Sequence, residues 1–119
     1  MDAAITSYVD GWRRRAAAEE RRQTREREAT LARLAPLARE LKERFGARRV
    51  VLFGSRAAGS ADPGSDVDIA VEGLPAERYA DALLMLERAL GRECVDLVEY
   101  EDAGNALRAK IDAGVTLDE

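Results

Sequence analysis

The sequence predicts an α/β (α+β) domain: a small β-sheet with accompanying helices, preceded by one long N-terminal helix. Three observations carry this. Residues 3–34 contain no proline and a single glycine, Gly11, and are dominated by Ala, Arg, Glu and Leu, all good helix formers. From Arg48 onward short β-branched runs alternate with helical stretches. Glycines and prolines stand between those runs, where turns and helix ends are expected.

In the long helix, Ile5, Tyr8, Val9 and Trp12 lie at helical spacing and form a compact apolar patch, with Trp12 read as a packing residue rather than a base-stacking platform. Residues 16–30 lack a wide apolar stripe. They carry the i,i+4 pairs Arg15/Glu19 and Arg22/Glu26 and one repulsive pair, Arg21/Arg25, as befits a solvated or partner-facing helix. A second stripe, Leu31, Leu34, Leu37, Leu41 and Phe45, is interrupted by Pro36, which is expected to kink the helix or begin a new one. Gly46 is the expected C-terminal cap. Strand one is expected at 48–53, a helix from Ser55 to Gly59, a turn at 61–64 and strand two at 66–72. A helix at 76–90 follows, stopped by Gly91. Strand three is expected at 94–100, a last helix at 102–113 and an edge strand at 115–117. This divides the chain into a charged helical extension (1–47) and a sheet-containing domain (48–119).

Composition excludes several chemistries. With 119 residues the chain makes one domain with a modest core. There is no histidine, which removes imidazole bases, Cys/His zinc sites and Ser-His-Asp triads together. The single cysteine, Cys94, cannot form an internal disulfide; it fits a reducing cytoplasm and reads as a buried small hydrophobe. No apolar run is long enough to span a bilayer, and no signal-peptide h-region is expected at the N-terminus. Residues 1–47 hold 11 Lys and Arg against 8 Asp and Glu, net +3; residues 48–119 hold 8 against 15, net −7. An acidic second half argues against direct nucleic-acid binding, which needs many basic phosphate contacts.

The chemistry must therefore rest on carboxylates, hydroxyls, arginine and a metal. Residues 52–71 read LFGSRAAGSADPGSDVDIAV. On a strand, Asp66 and Asp68 project to one face while Val67, Ile69 and Val71 project to the other. Paired carboxylates in oxygen-only surroundings suit Mg²⁺, which is commonly held by one or two carboxylates plus substrate phosphates. The Gly54-Ser55 turn opens a helix and offers backbone N–H groups and a hydroxyl to phosphates. A third carboxylate, Asp96, lies on the next expected strand. Asp66 and Asp68 taken alone also read as solvent-facing strand residues; the Gly-Ser turn at this distance argues for the site.

This pattern, Gly-Ser, ten residues, Asp-x-Asp and a later strand Asp, resembles the minimal nucleotidyltransferases of the DNA polymerase β superfamily over roughly residues 48–117. The resemblance implies a small mixed sheet with helices on one face. It also implies transfer of AMP from ATP to a hydroxyl with two Mg²⁺ ions. Asp66, Asp68 and Asp96 would be catalytic and metal-ligating, Asp96 also helping to deprotonate the acceptor. Gly54, Ser55 and Arg56 would hold the triphosphate. It further implies an antitoxin whose partner is a HEPN-type helical toxin and whose acceptor is a tyrosine on that toxin. Ala58 departs from the pattern, since relatives often carry a basic residue there. The long N-terminal helix is not part of the minimal domain and suggests extra packing, a dedicated partner or a homo-oligomer formed through it. Two other functions stay open: a binding antitoxin acting by contact, and a small-molecule nucleotidyltransferase of the aminoglycoside-modifying kind.

Overall fold

In a computed structural model, residues 3–59, 66–91 and 93–117 are described. The chain begins with α1 (Ala3–Glu43) and continues through β1 (Arg49–Phe53), α2 (Gly54–Ala58) and β2 (Val67–Glu72). A 3₁₀ turn (Ala76–Arg78) leads into α3 (Tyr79–Leu90), then β3 (Val95–Glu99), a second 3₁₀ turn (Tyr100–Asp102), α4 (Asn105–Asp112) and β4 (Val115–Thr116). The expected turn at 61–64 lies outside the described residues. The fold class expected from the sequence holds: a four-stranded mixed sheet with a long N-terminal helix.

The strand order is β3-β2-β1-β4. β1 pairs antiparallel with β2 and with β4, and β2 pairs parallel with β3 through the crossover helix α3. Strand alternation gives the sheet two different faces. Val50, Leu52, Val67, Ile69, Val71 and Leu97 enter the main core, where Leu34, Ala38 and Leu41 of α1 and Ala82, Leu86 and Leu90 of α3 cover them. Val51, Phe53 and Ala70 point the other way and meet Ile111 of the short α4. That second face is only partly covered, and Asp68 and Asp96 emerge on it.

Helix α1 continues through Pro36, so no new helix begins there. A mid-helix proline removes one backbone hydrogen bond and crowds the preceding turn, at a cost of about 3 kcal/mol. Here Pro36 faces solvent, and the buried Leu34, Ala38 and Leu41 on both sides of it pack against the sheet and offset that cost. Thr30, the one buried polar residue of this helix, satisfies its hydroxyl by donating to the Glu26 carbonyl at 2.9 Å. Replacing Leu34, fully enclosed, with alanine is expected to cost about 3 kcal/mol by the cavity it leaves, read as a lower midpoint in urea unfolding with an unchanged slope.

The first part of α1 behaves differently. Arg22 bridges Glu19 and Glu26, the latter at 2.6 Å, on a face exposed to water. Trp12, expected to pack, is exposed, as are Ile5 and Tyr8. The reason is geometric: the helix passes the end of the domain, so its first turns have no wall to lie on. The chain extends 67 Å along its longest axis against 30 and 24 Å across.

Candidate active site

Two strands and one short helix build the site. β1 ends at Phe53, and the chain turns at once into α2, whose first residues are Gly54 and Ser55. Phe53 occupies the N-cap position, so Ser55 lies inside the first turn with its side chain exposed. Opposite, β2 begins next to Asp66, and its register sets Asp68 against Phe53 on one side and against Asp96 of β3 on the other. Parallel pairing thus brings the second and third carboxylates side by side across neighbouring strands, and Asp66 stands at the same edge and on the same face.

Gly54 makes the close approach of turn and carboxylate workable. Its φ is +75°, and a methyl placed on it would collide with Oδ2 of Asp68. Both the backbone conformation and the space require glycine. Electrostatics mark the same residue: the Asp68 carboxyl is pushed above its ordinary range, first by burial, then by the negative charges of Asp96 and Asp66. Asp96 and Asp66 both bear on Asp68 electrostatically, and no lysine or arginine is seen paired with Asp68 among the described residues.

Among the described residues no three acidic or cysteine side chains are gathered closely enough to hold a metal ion by themselves. The donor set nevertheless fits a hard cation. All its atoms are oxygen, Asp68 carries an uncompensated field, and Mg²⁺ ordinarily completes its shell with water and phosphate oxygens.

Arg56, expected at the phosphates, is paired within the fold. Its guanidinium stands 3.3 Å from Glu93, and Arg33 of α1 reaches the same Glu93 oxygen at 2.9 Å. Glu93 lies just before β3, so one carboxylate links α1, α2 and the strand that carries Asp96. Sequence inspection gives no sign of it, because the three partners are far apart in the chain. Glu93→Ala is expected to cost about 2 kcal/mol in equilibrium unfolding, since it strips two arginines of a shared, largely buried partner, whereas Glu93→Gln retains part of it. Tyr79 of α3 is a second residue that sequence inspection passed over: its hydroxyl donates to the Leu97 carbonyl at 2.6 Å, next to Asp96. Burial, then the charges of Asp96 and Glu99, push its phenol above the ordinary value. Cys94 is exposed rather than buried. It sits just before β3 on the side of Asp96, where the sheet face is open.

The sequence profile of the nucleotidyltransferase domain family matches residues 34–114. The chain belongs to this family. As a nucleotidyltransferase-domain protein it is similar to the protein adenylyltransferase MntA of Thermococcus cleftensis, with 46% identity over 57 aligned residues covering 40% of this chain. The match spans 58% of that relative's length. Among solved structures it is similar to a minimal nucleotidyltransferase, with 32% identity and a TM-score of 0.63 over 76% of this chain and 94% of that one. It is also similar to a toxin–antitoxin crystal structure with AMP-PNP, with 27% identity and a TM-score of 0.58 over 72% of this chain and 70% of that one.

Proposed function

We propose that this chain is a Mg²⁺-dependent nucleotidyltransferase that moves AMP from ATP to a hydroxyl, with a tyrosine of a HEPN-type toxin as the acceptor and antitoxin action as the outcome. The observation that carries the reading is the register pair Asp68–Asp96 set against the Gly54 turn, with Asp66 at the same edge. Its family membership and its likeness to a protein adenylyltransferase and to a toxin–antitoxin structure with AMP-PNP support it.

Asp66 and Asp68 would hold the metal ions, two in number by analogy with the family, and Asp96 would join them at the acceptor side. Ions bound there would neutralise the triphosphate and the charge that develops on it. Ser55 and the first turn of α2 would receive the β- and γ-phosphates, with Arg56 beside them on the same helix. The acceptor oxygen attacks the α-phosphorus, its bond to phosphorus forms, and the bond to the β-phosphate oxygen breaks. Pyrophosphate departs, and Asp96 takes up the proton of the hydroxyl.

The test is incubation of the protein with α-labelled ATP, Mg²⁺ and the candidate toxin, beside an Asp66→Ala/Asp68→Ala control. Label on a toxin tyrosine, located by mass spectrometry and absent from the control, is the expected result. Toxin neutralisation by the control would move the reading to inhibition by contact, and label on a small molecule alone would move it to a small-molecule acceptor.

A further inference from the structure

The first turns of α1 expose Ile5, Tyr8 and Trp12 at 56%, 71% and 60% of their full area. Together they present roughly 400 Å² of apolar surface, the size of a functional patch rather than of scattered residues. The patch has a definite direction. Eighteen residues make five helical turns, so Ile5, Trp12 and Ala16 share the face of Gln23, Thr30 and Leu34. Thr30 and Leu34 are buried on the domain, and Gly59 lies so close to Gln23 that a methyl on it would meet the Gln23 carbonyl oxygen. The apolar face thus continues the domain-packing face for about 27 Å past the domain's end.

The spacing along that face is Ile5, Val9, Trp12, Ala16: steps of four, three and four, which is two heptads of a coiled-coil seam. We infer that the face is covered by the same segment of a second copy, running antiparallel. The seam is self-complementary in this direction. Ile5 faces Ala16, and Val9 faces Trp12, so each of the four layers sets a large side chain against a smaller one. Arg15 falls beside the Tyr8 ring of the other copy, a cation–π placement, and no two arginines are brought together across the seam. A parallel pair would instead stack Trp12 on Trp12 and Ala16 on Ala16, crowding one layer and leaving the other empty.

Length and area agree. Ala3 of the second copy comes opposite Ala18, one turn from a cleft of about 270 Å³ between α1 and α2 lined by Glu20, Gln23, Thr24, Arg27 and Ala58. The overhang is therefore filled up to the point where the domain begins. Two facing patches remove about 800 Å² from water. Val9, Ala16 and the stems of Arg13 and Arg15 bring the contact near the 1,200 Å² or so at which specific interfaces start.

The inference is independent of the nucleotidyl-transfer reading, and its test needs no substrate. Sedimentation equilibrium of the full chain at tens of micromolar should give twice the 13.1 kDa chain mass. Trp12→Glu, at an exposed position, should give the single mass with an unchanged far-ultraviolet circular dichroism spectrum. On a Cys94→Ser background, a mixture of Ile5→Cys and Ala16→Cys chains should form a disulfide-linked dimer, and neither chain alone should. A monomer at every concentration overturns the inference and assigns the face to a different protein. A dimer that survives Trp12→Glu, or cross-linking of Ile5→Cys with itself, overturns it as well.

Discussion

Asp68→Asn is expected to abolish AMP transfer, lowering the rate by about 10³-fold or more, and at the same time to make the protein melt higher. The first effect follows from the chemistry proposed for the site: the substitution removes a charged ligand of the metal ions that would neutralise the triphosphate, and nucleotidyl transfer depends mostly on that neutralisation and on positioning. The second follows from the raised pKa. Asp68 is held above its ordinary 3.8 by burial and by Asp96 and Asp66, so its ionised form is less welcome in the folded chain than in the unfolded one. The sign is fixed: the native state binds the proton more tightly, so this destabilisation is absent below pH 3.8, grows as pH rises through the raised value, and is complete at neutral pH. The site is open, so screening limits the gain to about 0.5 kcal/mol, or roughly 2–4 °C. Melting curves at pH 7 and pH 3 check this: the variant leads at pH 7 and the lead vanishes at pH 3. Added Mg²⁺ should raise the wild-type midpoint and leave the variant's nearly unchanged.

Gly54→Ala carries the second large effect. The methyl group meets Oδ2 of Asp68, and the positive φ of +75° is strained for any residue with a Cβ. The clash cannot be relieved by rotating a long side chain, because Asp68 is short and its strand is paired on both sides. The variant is expected to lose about 2 kcal/mol of stability and at least about 100-fold in transfer activity, since the turn must move away from the carboxylates it is meant to face. Gly59→Ala serves as a comparison. It disturbs the seat of α1 on α2 rather than the carboxylates, so it should lower stability more than it lowers activity per folded molecule.

The parts of the molecule that were legible in the sequence are those governed by local periodicity. Alternation in Val67, Ile69 and Val71 against Asp66 and Asp68 gave the two faces of β2, and the same alternation put Asp96 and Val98 opposite Val95 and Leu97. Where the outcome depended on distant packing, local signals failed. Pro36 reads as a kink or a new start, yet the helix continues through it between buried leucine and alanine positions that offset the hydrogen bond it costs. Trp12 reads as a packing residue, and nothing in its own neighbourhood reveals that the domain ends before it. Cys94 was assigned by residue type, whereas its place on the open side of the sheet was already implied by its two-residue spacing from Asp96. Arg56 follows Ser55 directly, but its ion pair with Glu93, thirty-seven positions later in the chain, has no local signal.

The sheet order has a consequence for how the protein comes to life. β1 and β2 meet as an antiparallel pair joined by α2 and a short connection, so Asp66 and Asp68 arrive early and together. Asp96 belongs to the outer strand, whose parallel pairing with β2 spans the α3 crossover, a longer-range contact of the kind that slows folding. A chain in which only the local β1–β2 pair had formed would display two carboxylates and lack the third. Regain of transfer activity during refolding should follow the slowest kinetic phase with none in the faster ones, so that a molecule released too early is inert rather than indiscriminate.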